Sequence, residues 1–496
     1  MSVIDILVPA GDVRRMHLLV AERLAGKGHD VALVGTDAPG IARTLDNILH
    51  FERAALRIRL DSLLDAVPQP LLSLARSGAA LRVDLTGSGR PVASPALAPR
   101  FAGSPSLAEA ARLLMLGRLP DIAVVLDGGR PVAEASPMAD SRLSVARGLD
   151  DVLARVLTLL VIETHRYLDG GAMDARPAGT AAPPKTPTSG QMVGTYMLST
   201  VPRQIGGAAR RLAFKLHRWN VQYRFHKGRR VADTGLMAGE PWLTLPDDGD
   251  RFYADPFPFE WNGRYFIFVE EFRHGGGKGV LSVAEVFRDG APTVPRVILE
   301  EPYHLSYPQV FAHGGQIWML PEGGAGGNLV LYRAESFPDR WVRHSVLVPG
   351  RQLFDSTLLE HDGRLWLFAT ERDGYGSASD MLVVYHAPAL EGPWTPHQAN
   401  PVRIDRAAAR PGGRFARVGD RLVLPVQDGT LEYGGALGLA DLIELNETKV
   451  RLTEPVPILS PIRSTYPKIH TLNSSEHLET VDCIAPMLRG GLRRAG

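Results

Sequence analysis

The spacing of apolar residues changes twice along this chain. In the first third, short apolar runs alternate with segments of helical period. Val3–Val8 reads as a buried strand, Met16–Gly26 as an amphipathic helix and Asp30–Val34 as a second strand. Ala80–Leu85 and Asp121–Leu126 add two further strands, and Leu149–Leu168 reads as a closing helix of 3.6 period. Strands alternating with helices predict an α/β domain over residues 1–170, built on a parallel, doubly wound sheet. Residues 171–195 are rich in Gly, Pro, Ala and Thr, lack any period and read as a flexible linker. Residues 196–217 carry a basic amphipathic helix, clearest in PRQIGGAARRLAFKLH (202–217). Two readings fit it: peripheral contact with a membrane surface beside Trp219, or a capping helix that packs on the following domain and shows its arginines to water.

From residue 218 to residue 486 the period becomes two, and one unit recurs. Its copies are ADPFPFEWNGRYFIFVEE from Ala254, SYPQVFAHGGQIWMLPEG from Ser306, FDSTLLEHDGRLWLFATE from Phe354, PGGRFARVGDRLVLPVQD from Pro411 and YPKIHTLNSSEHLETVDC from Tyr466. Each opens on a polar or turn-type anchor, turns at small residues such as Asn262-Gly263 or Asp362-Gly363, and returns to an acid. Five hairpins at intervals of roughly 50 residues predict an all-β five-bladed β-propeller, so the chain is multidomain. WNVQYRF (219–225) reads as a strand that closes the ring with the last blade, and residues 487–496 as a basic tail. Trp341, Trp394 and Tyr332, between the hairpins, read as blade packing.

Folding each hairpin about its turn sets Asp255 opposite Glu270, Pro308 opposite Glu322, Asp355 beside Glu371, Gly412 beside Gln427 and Asp428, and Pro467 opposite Asp482. The innermost strands of a propeller line its axis, so these ends converge on one face. Carboxylates gathered in a partly dry pocket have their pKa values pushed apart, which is what a general acid and a base or nucleophile need. On this reading Asp255 is the candidate base or nucleophile, Asp355 the orienting acid and Glu322 the proton donor, with Glu371 as its rival. Glu270, His304, Tyr307, Glu371, Arg410, Gln427, Asp428, His470 and Asp482 are candidates for holding a substrate's hydroxyls or phosphate. The bland alternative is that acids at strand ends cap turns or pair with arginines between blades.

Composition narrows the classes. A net charge of +1 on 496 residues gives no field for nucleic acid. Cys483 is the single cysteine, so no disulfide framework forms, which suits a reducing compartment. The N-terminus lacks a basic segment followed by a long apolar run, and the apolar stretch Val152–Ile162 is broken by Arg155 and too short to span a bilayer. The expectation is a cytoplasmic protein without a transmembrane segment; oligomeric state is left open. No His/Cys spacing suggests zinc and no cofactor is expected, with a divalent cation such as calcium, or a water, on the axis left open.

HLSYP (304–308), LPEGG (320–324), LYRAESFPDRW (331–341), LEGPWTPHQANPV (390–402), ARPGG (409–413), VQD (426–428), YGG (433–435) and IHTLN (469–473) occur in order. Together they resemble the N-terminal domain of glucosamine inositolphosphorylceramide transferases, over about residues 218–485. The resemblance implies a five-bladed propeller similar to the arabinanase and invertase class of glycosidases, with Asp255-Pro256 similar to their first-blade Asp-Pro and Asp355 to their second acid. Blade four departs from those glycosidases, offering Arg-Pro-Gly-Gly (410–413) where they carry a glutamate. In the plant transferases the nucleotide-sugar transferase domain follows the propeller, so with a sequence ending at residue 496 transferase activity is not expected to carry over. VASPALAPRFAG (92–103) resembles the Asn-x-His-Pro-Ser-Leu-Leu-Pro-x-x-x-Gly loop of folate-dependent formyltransferases, with VDLTG (83–87) before it and Asp127-Gly128-Gly129 after it. Val92 and Ser94 stand where that loop has its Asn and His, so the resemblance implies a formyltransferase-like fold whose formyl-transfer site is lost. TGSGRP (86–91) offers backbone N–H groups to a phosphate.

Two functions follow. One is a carbohydrate-active enzyme that cleaves or transfers a glycosidic bond at the acid-lined face, on a glycan or glycolipid head group. The other is a non-catalytic module that binds the same ligand, with the N-terminal domain as scaffold.

Overall fold

Val3–Pro9 (β1) is buried along almost its whole length and is the second strand of a six-stranded sheet. Around it lie β2 (Asp30–Thr36), β3 (Leu81–Asp84), β4 (Ala96–Phe101), β5 (Ile122–Leu126) and β6 (Arg130–Ala135), in the order β2-β1-β3-β4-β5-β6. The first four are mutually parallel, but β5 pairs antiparallel with β4 and β6 antiparallel with β5. The all-parallel expectation is therefore corrected to a mixed sheet. A tight turn at Asp127-Gly128-Gly129 joins β5 directly to β6, leaving no room for the crossover helix a parallel pair requires. Helices α1 (Arg15–Ala25), α2 (Arg43–Ala55) and α3 (Leu107–Met115) all touch α4 (Val145–Leu168), which also lies against β3 to β6. Half of the segment likened to a formyltransferase loop is strand β4, and the Asp127 carboxylate accepts the Ala96 N–H at 2.9 Å, fixing the start of that strand.

The computed structural model describes residues 1–58, 61–68, 70–171, 185–215, 219–432, 434–460, 468–484 and 487–488. Residues 172–184 of the linker, 216–217 of the basic helix, Tyr433, Tyr466-Pro467 and the tail from 489 lie outside the described residues. Two compact units are present: Met1–Ala209 with Gly374–Ser377, and Arg210–Asp373 with Ala378–Gly496.

The linker reading is corrected at its end. Ser189–Thr195 is a helix (α5), capped by Thr188, and it runs through a π-helical turn at Tyr196–Thr200 into α6 (Val201–Ala213). The basic helix thus begins earlier than expected and ends at Ala213. Its start is tied to the first unit. Thr200 Oγ1 and Arg203 Nη2 donate to the Met115 carbonyl at the end of α3, and Gln204 Nε2 donates to Glu52 at 2.7 Å. Leu198, Ile205 and Leu212 remain exposed on this segment. No helix of the described residues is long and apolar enough to cross a membrane.

The second unit is a ring of five four- or five-stranded antiparallel sheets. Their inner strands are Arg251–Trp261, Ser306–His313, Gln352–His361, Ala416–Val418 and Ile469–Ser474. Asn262-Gly263, Gly314-Gly315 and Asp362-Gly363 all have positive φ at both positions, the two-residue hairpin geometry that matches strand twist. The strand Trp219–Phe225 pairs with Leu478–Ile484, so the fifth blade is completed from the N-terminal end of the unit. Apolar seams join neighbouring blades all round the ring: Phe268 with Tyr332, Leu320 with Leu367, Phe368 with Val426, Leu437 with Val481, and Val221 with Ile267. Trp341 and Tyr332 lie in the first seam and Trp394 packs on the second. Each buried Leu, Ile or Phe here contributes about 1.5–3 kcal/mol relative to exposure.

Candidate functional site

The axial face is built by one device used repeatedly. Ala254, Ser306 and Phe354 pair with Glu270, Glu322 and Thr370, and the register then slips before Phe257, Gln309 and Thr357. The residue inside each slip is left-handed: Asp255 at φ 49°, Tyr307 at 48° and Asp355 at 48°. That conformation costs a non-glycine residue roughly 1–2 kcal/mol. The return is that the bulge re-aims the anchor toward the axis and turns its N–H to a neighbouring blade's carboxylate. Asp255 N–H donates to Asp482 Oδ2 at 2.9 Å, Tyr307 N–H to Asp255 Oδ2 at 3.2 Å, and Asp355 N–H to Glu322 Oε2 at 3.2 Å. The simple antiparallel pairing expected from sequence is corrected by this slip: Glu270 lies opposite Ala254, Glu322 opposite Ser306, and Glu371 opposite Leu353.

Two clusters meet on this face. In the first, the His470 ring lies between Asp255 (Nε2 to Oδ1, 3.1 Å) and Asp482 (Nδ1 to Oδ1, 2.8 Å). Both approaches are close but off the line of a directed hydrogen bond, so they act as ion pairs. Burial pulls the imidazole down, yet the two carboxylates hold it well above its ordinary value, so it is a cation. Burial raises Asp255 and the imidazolium opposes it, whereas Asp482, fully buried, is lowered by His470 and by the N–H groups of Asp255 and Thr471. Trp219 stacks on His470 at 3.9 Å between ring centroids. Asp255, His470 and Asp482 each offer a ligand atom within 4.8 Å of one another. With both ring nitrogens facing carboxylates, that set as arranged suits a proton rather than a divalent ion.

In the second cluster, Arg410 forks onto Asp355, Nε to Oδ2 at 2.6 Å and Nη2 to Oδ1 at 3.2 Å, and reaches Glu322 at 3.4 Å. Gln427 Nε2 donates to the same Asp355 Oδ2 at 2.6 Å. Glu322 is raised well above the usual carboxylate range, first by burial and then by Asp355, with Arg410 opposing. Glu270 is likewise raised, by burial and by the charges of Asp255 and Glu322, and His304 Nε2 stands 3.3 Å from it. Burial thus pushes Glu270 and Glu322 toward the acid form, while at Asp255 the neighbouring His470 opposes the same rise. Carboxyl groups held in unlike environments are what proton transfer requires.

Asp255, Glu270, Glu322, Asp355, His304, Arg410, Gln427, His470 and Asp482 are thus brought together. Three candidates are corrected. Tyr307 contributes only its backbone; its ring lies edge-on to Phe257 and its hydroxyl meets Thr357 at 2.8 Å within the core. Glu371, one residue past Thr370, points to the opposite side of its strand and pairs with Arg351 at 2.8 Å. Asp428 caps the turn at Thr430 at 2.8 Å. Arg410, Gln427 and His470, expected to hold a ligand, hold the site's own acids. Sequence reasoning missed Trp219 and Arg414. The Arg414 guanidinium donates to the Val310 carbonyl at 2.9 Å, sits 5.7 Å from the Phe257 ring and is lowered to about 10 by burial. The one sequence signal for Arg414 is its place directly after the blade-four glycines.

Several known proteins are similar. Residues 245–462 match the family model "Glucosamine inositolphosphorylceramide transferase 1, N-terminal". Glucosamine inositolphosphorylceramide transferase 1 of Oryza sativa subsp. japonica is 34% identical over 220 residues, covering 42% of this chain and 29% of that protein. The protein of that name from Arabidopsis thaliana is 31% identical over 208 residues, covering 41% of this chain and 27% of its own. The chain thus spans less than a third of the curated relatives' length. Among solved structures, a thermostable family-43 glycoside hydrolase aligns with a TM-score of 0.33 at 10% identity, over 41% of this chain and 75% of its own. An α-L-arabinanase of Cellvibrio cellulosa aligns at 0.32 and 16%, over 42% and 78%. Residues 245–462, which run from the first blade into the fourth, are accordingly similar to the N-terminal domain of glucosamine inositolphosphorylceramide transferases.

Proposed function

We propose that the propeller is carbohydrate-active and works at its axial face on a glycosidic bond of a glycan or glycolipid head group. The observation that carries the reading is the convergence of Glu322 and Glu270, both raised by burial, with Asp255, where His470 opposes that rise. In this reading Glu322 gives its proton to the leaving oxygen, Asp255 acts as base or nucleophile at the anomeric carbon, and Asp355 orients Glu322 through its N–H. The relatives' name supports an inositolphosphoryl sphingolipid head group as the ligand class. The second reading, recognition without turnover, is favoured by Asp355, whose carboxylate is already held by Arg410 and Gln427.

The test is turnover and binding across a glycan array, chromogenic glycosides and glycosylated inositol phosphates. Catalysis predicts that Glu322→Gln and Asp255→Asn lower turnover by about 10²–10⁴ while ligand is still bound. Binding by the wild type without turnover, lost in both variants, replaces the first reading with the second. For the first unit we keep a formyltransferase-like ancestry without formyl transfer, because Val92 and Ser94 supply no imidazole or amide. We place the protein in the cytoplasm, where its lone cysteine stays reduced.

A further inference from the structure

We propose that the first unit holds a second binding site, for a small organic anion, in the cavity at the N-terminus of α2. The cavity encloses about 590 Å³ and lies where Pro9, Thr86 and Phe101 end or follow the parallel strands β1, β3 and β4. From β1 the chain steps to β2 on one side and β3 on the other, the topological position at which open parallel sheets receive ligands.

The N-terminus of α2 opens into this cavity. It has no side-chain cap: Ala42 stands at the N-cap, and the first helical bond runs from the Asp46 N–H to the Ala42 carbonyl. Arg43, Thr44 and Leu45 line the cavity, and among the described residues their N–H groups donate to nothing. Such a terminus carries about half a positive charge. The loop before it is built to stay in place: Asp12 Oδ2 accepts the Ile41 N–H at 2.7 Å, and Gly40, at φ +69°, leaves room where a Cβ would come within 2.5 Å of Asp12.

His17 is the independent observation. It is 4% exposed and lines the same cavity. Its Nδ1 accepts the Arg14 N–H at 3.0 Å, which puts the ring proton on Nε2, and among the described residues Nε2 has no hydrogen-bond partner. Burial lowers the imidazole to about 4, so it stays neutral and donates through that one N–H. The two acids nearby are spent on Arg14, which pairs with Asp12 and, at 2.9 Å, with Asp46. An incoming anion therefore meets no free carboxylate among the described residues that line the cavity. Met16, Phe101, Leu153 and Met192 supply an apolar wall for the rest of the molecule. The ligand class is a carboxylate or phosphomonoester on an apolar or planar body.

The test uses the full chain, with calorimetry and thermal shift against AMP, benzoate and inorganic phosphate. Saturable binding of AMP or of benzoate, tighter than that of inorganic phosphate, is expected; which of the two binds names the anionic group. Ala42→Asp places a carboxylate on the three N–H groups, so its melting temperature holds or rises while ligand binding falls at least about tenfold. Arg43→Glu, at an exposed position, weakens binding without loss of fold, and His17→Gln weakens it too. Binding by Ala42→Asp and Arg43→Glu equal to wild type, inorganic phosphate as tight as the organic probes, or no binding of any probe overturns the proposal.

Discussion

Blades one to three and blades four and five share one hairpin plan but bring opposite chemistry to the axis. The first three deliver Asp255, Glu270, Glu322 and Asp355; the last two deliver Arg410, Gln427 and His470, with Asp482 beneath the histidine. Neither half is complete alone. Carboxylates at this burial without cations take up protons, and a buried guanidinium without a carboxylate is costly. The difference teaches that the site's charge balance is a property of the closed ring. It also explains why some acids of blades one to three are pushed toward the neutral form. Two cationic side chains, Arg410 and His470, serve five carboxyl groups, so Glu270 and Glu322 end high.

The strongest way to break this comparison is Arg410→Ala. It leaves Asp355 buried with only Gln427 and lets Glu322 rise further, for an expected loss of about 3–5 kcal/mol in chemical denaturation. Arg410→Lys recovers only part, because an ammonium cannot fork onto Asp355. Asp482→Asn comes next. It removes one of the two anions that keep His470 charged, at an expected cost of about 1–3 kcal/mol, and histidine NMR titration should find the imidazole pKa lowered.

The pH dependence sharpens the comparison. Glu270 and Glu322 are raised above their usual 4.5, so the folded state binds more protons than the unfolded chain once pH exceeds that value. Their contribution is full below 4.5 and is lost as pH rises through their folded values. His470, raised above 6.5, adds a further loss at higher pH by the same sign. Asp482, lowered from 3.8, acts in reverse, and its contribution is lost as pH falls through its folded value. Melting temperature is expected to decline from mildly acid toward alkaline pH, and Glu322→Gln to flatten that decline; a rising wild-type profile across this range counts against the assignment. The smallest effect is expected at the exposed pair Arg264–Glu285, where Arg264→Ala changes stability by about 0–1 kcal/mol and leaves the axial chemistry unaltered.

How much of this was legible beforehand varies by residue. The hairpins were, because strand alternation and Asn-Gly or Asp-Gly turns are local signals. So was Trp219–Phe225 as a ring-closing strand. Asp255, Glu322 and Asp355 were placed on one face by the repeat alone. Glu371 was misplaced by a single residue, and period two makes that step decisive: Thr370 faces the axis and Glu371 faces Arg351. The slip that sets this register is a left-handed anchor, a backbone state with no firm signature in Asp-Pro, Tyr-Pro or Asp-Ser. In the first unit the strands and helices were read closely, but the antiparallel edge was not. Nothing in Ile122–Leu126 or Arg130–Ala135 states a strand's direction until a partner is chosen.

By itself the sequence determined the two kinds of unit, the five hairpins and the gathering of acids at one end of a ring, since each follows from periods and turns within about twenty residues. Only the tertiary structure decided which group holds which. Arg410 and Asp355 are 55 residues apart, Gln427 and Asp355 72, and Asp255 donates its N–H to an acid 227 residues away. Contacts of that span exist only once the ring has closed, and the bulges that aim them are fixed by blade-to-blade packing rather than by local preference.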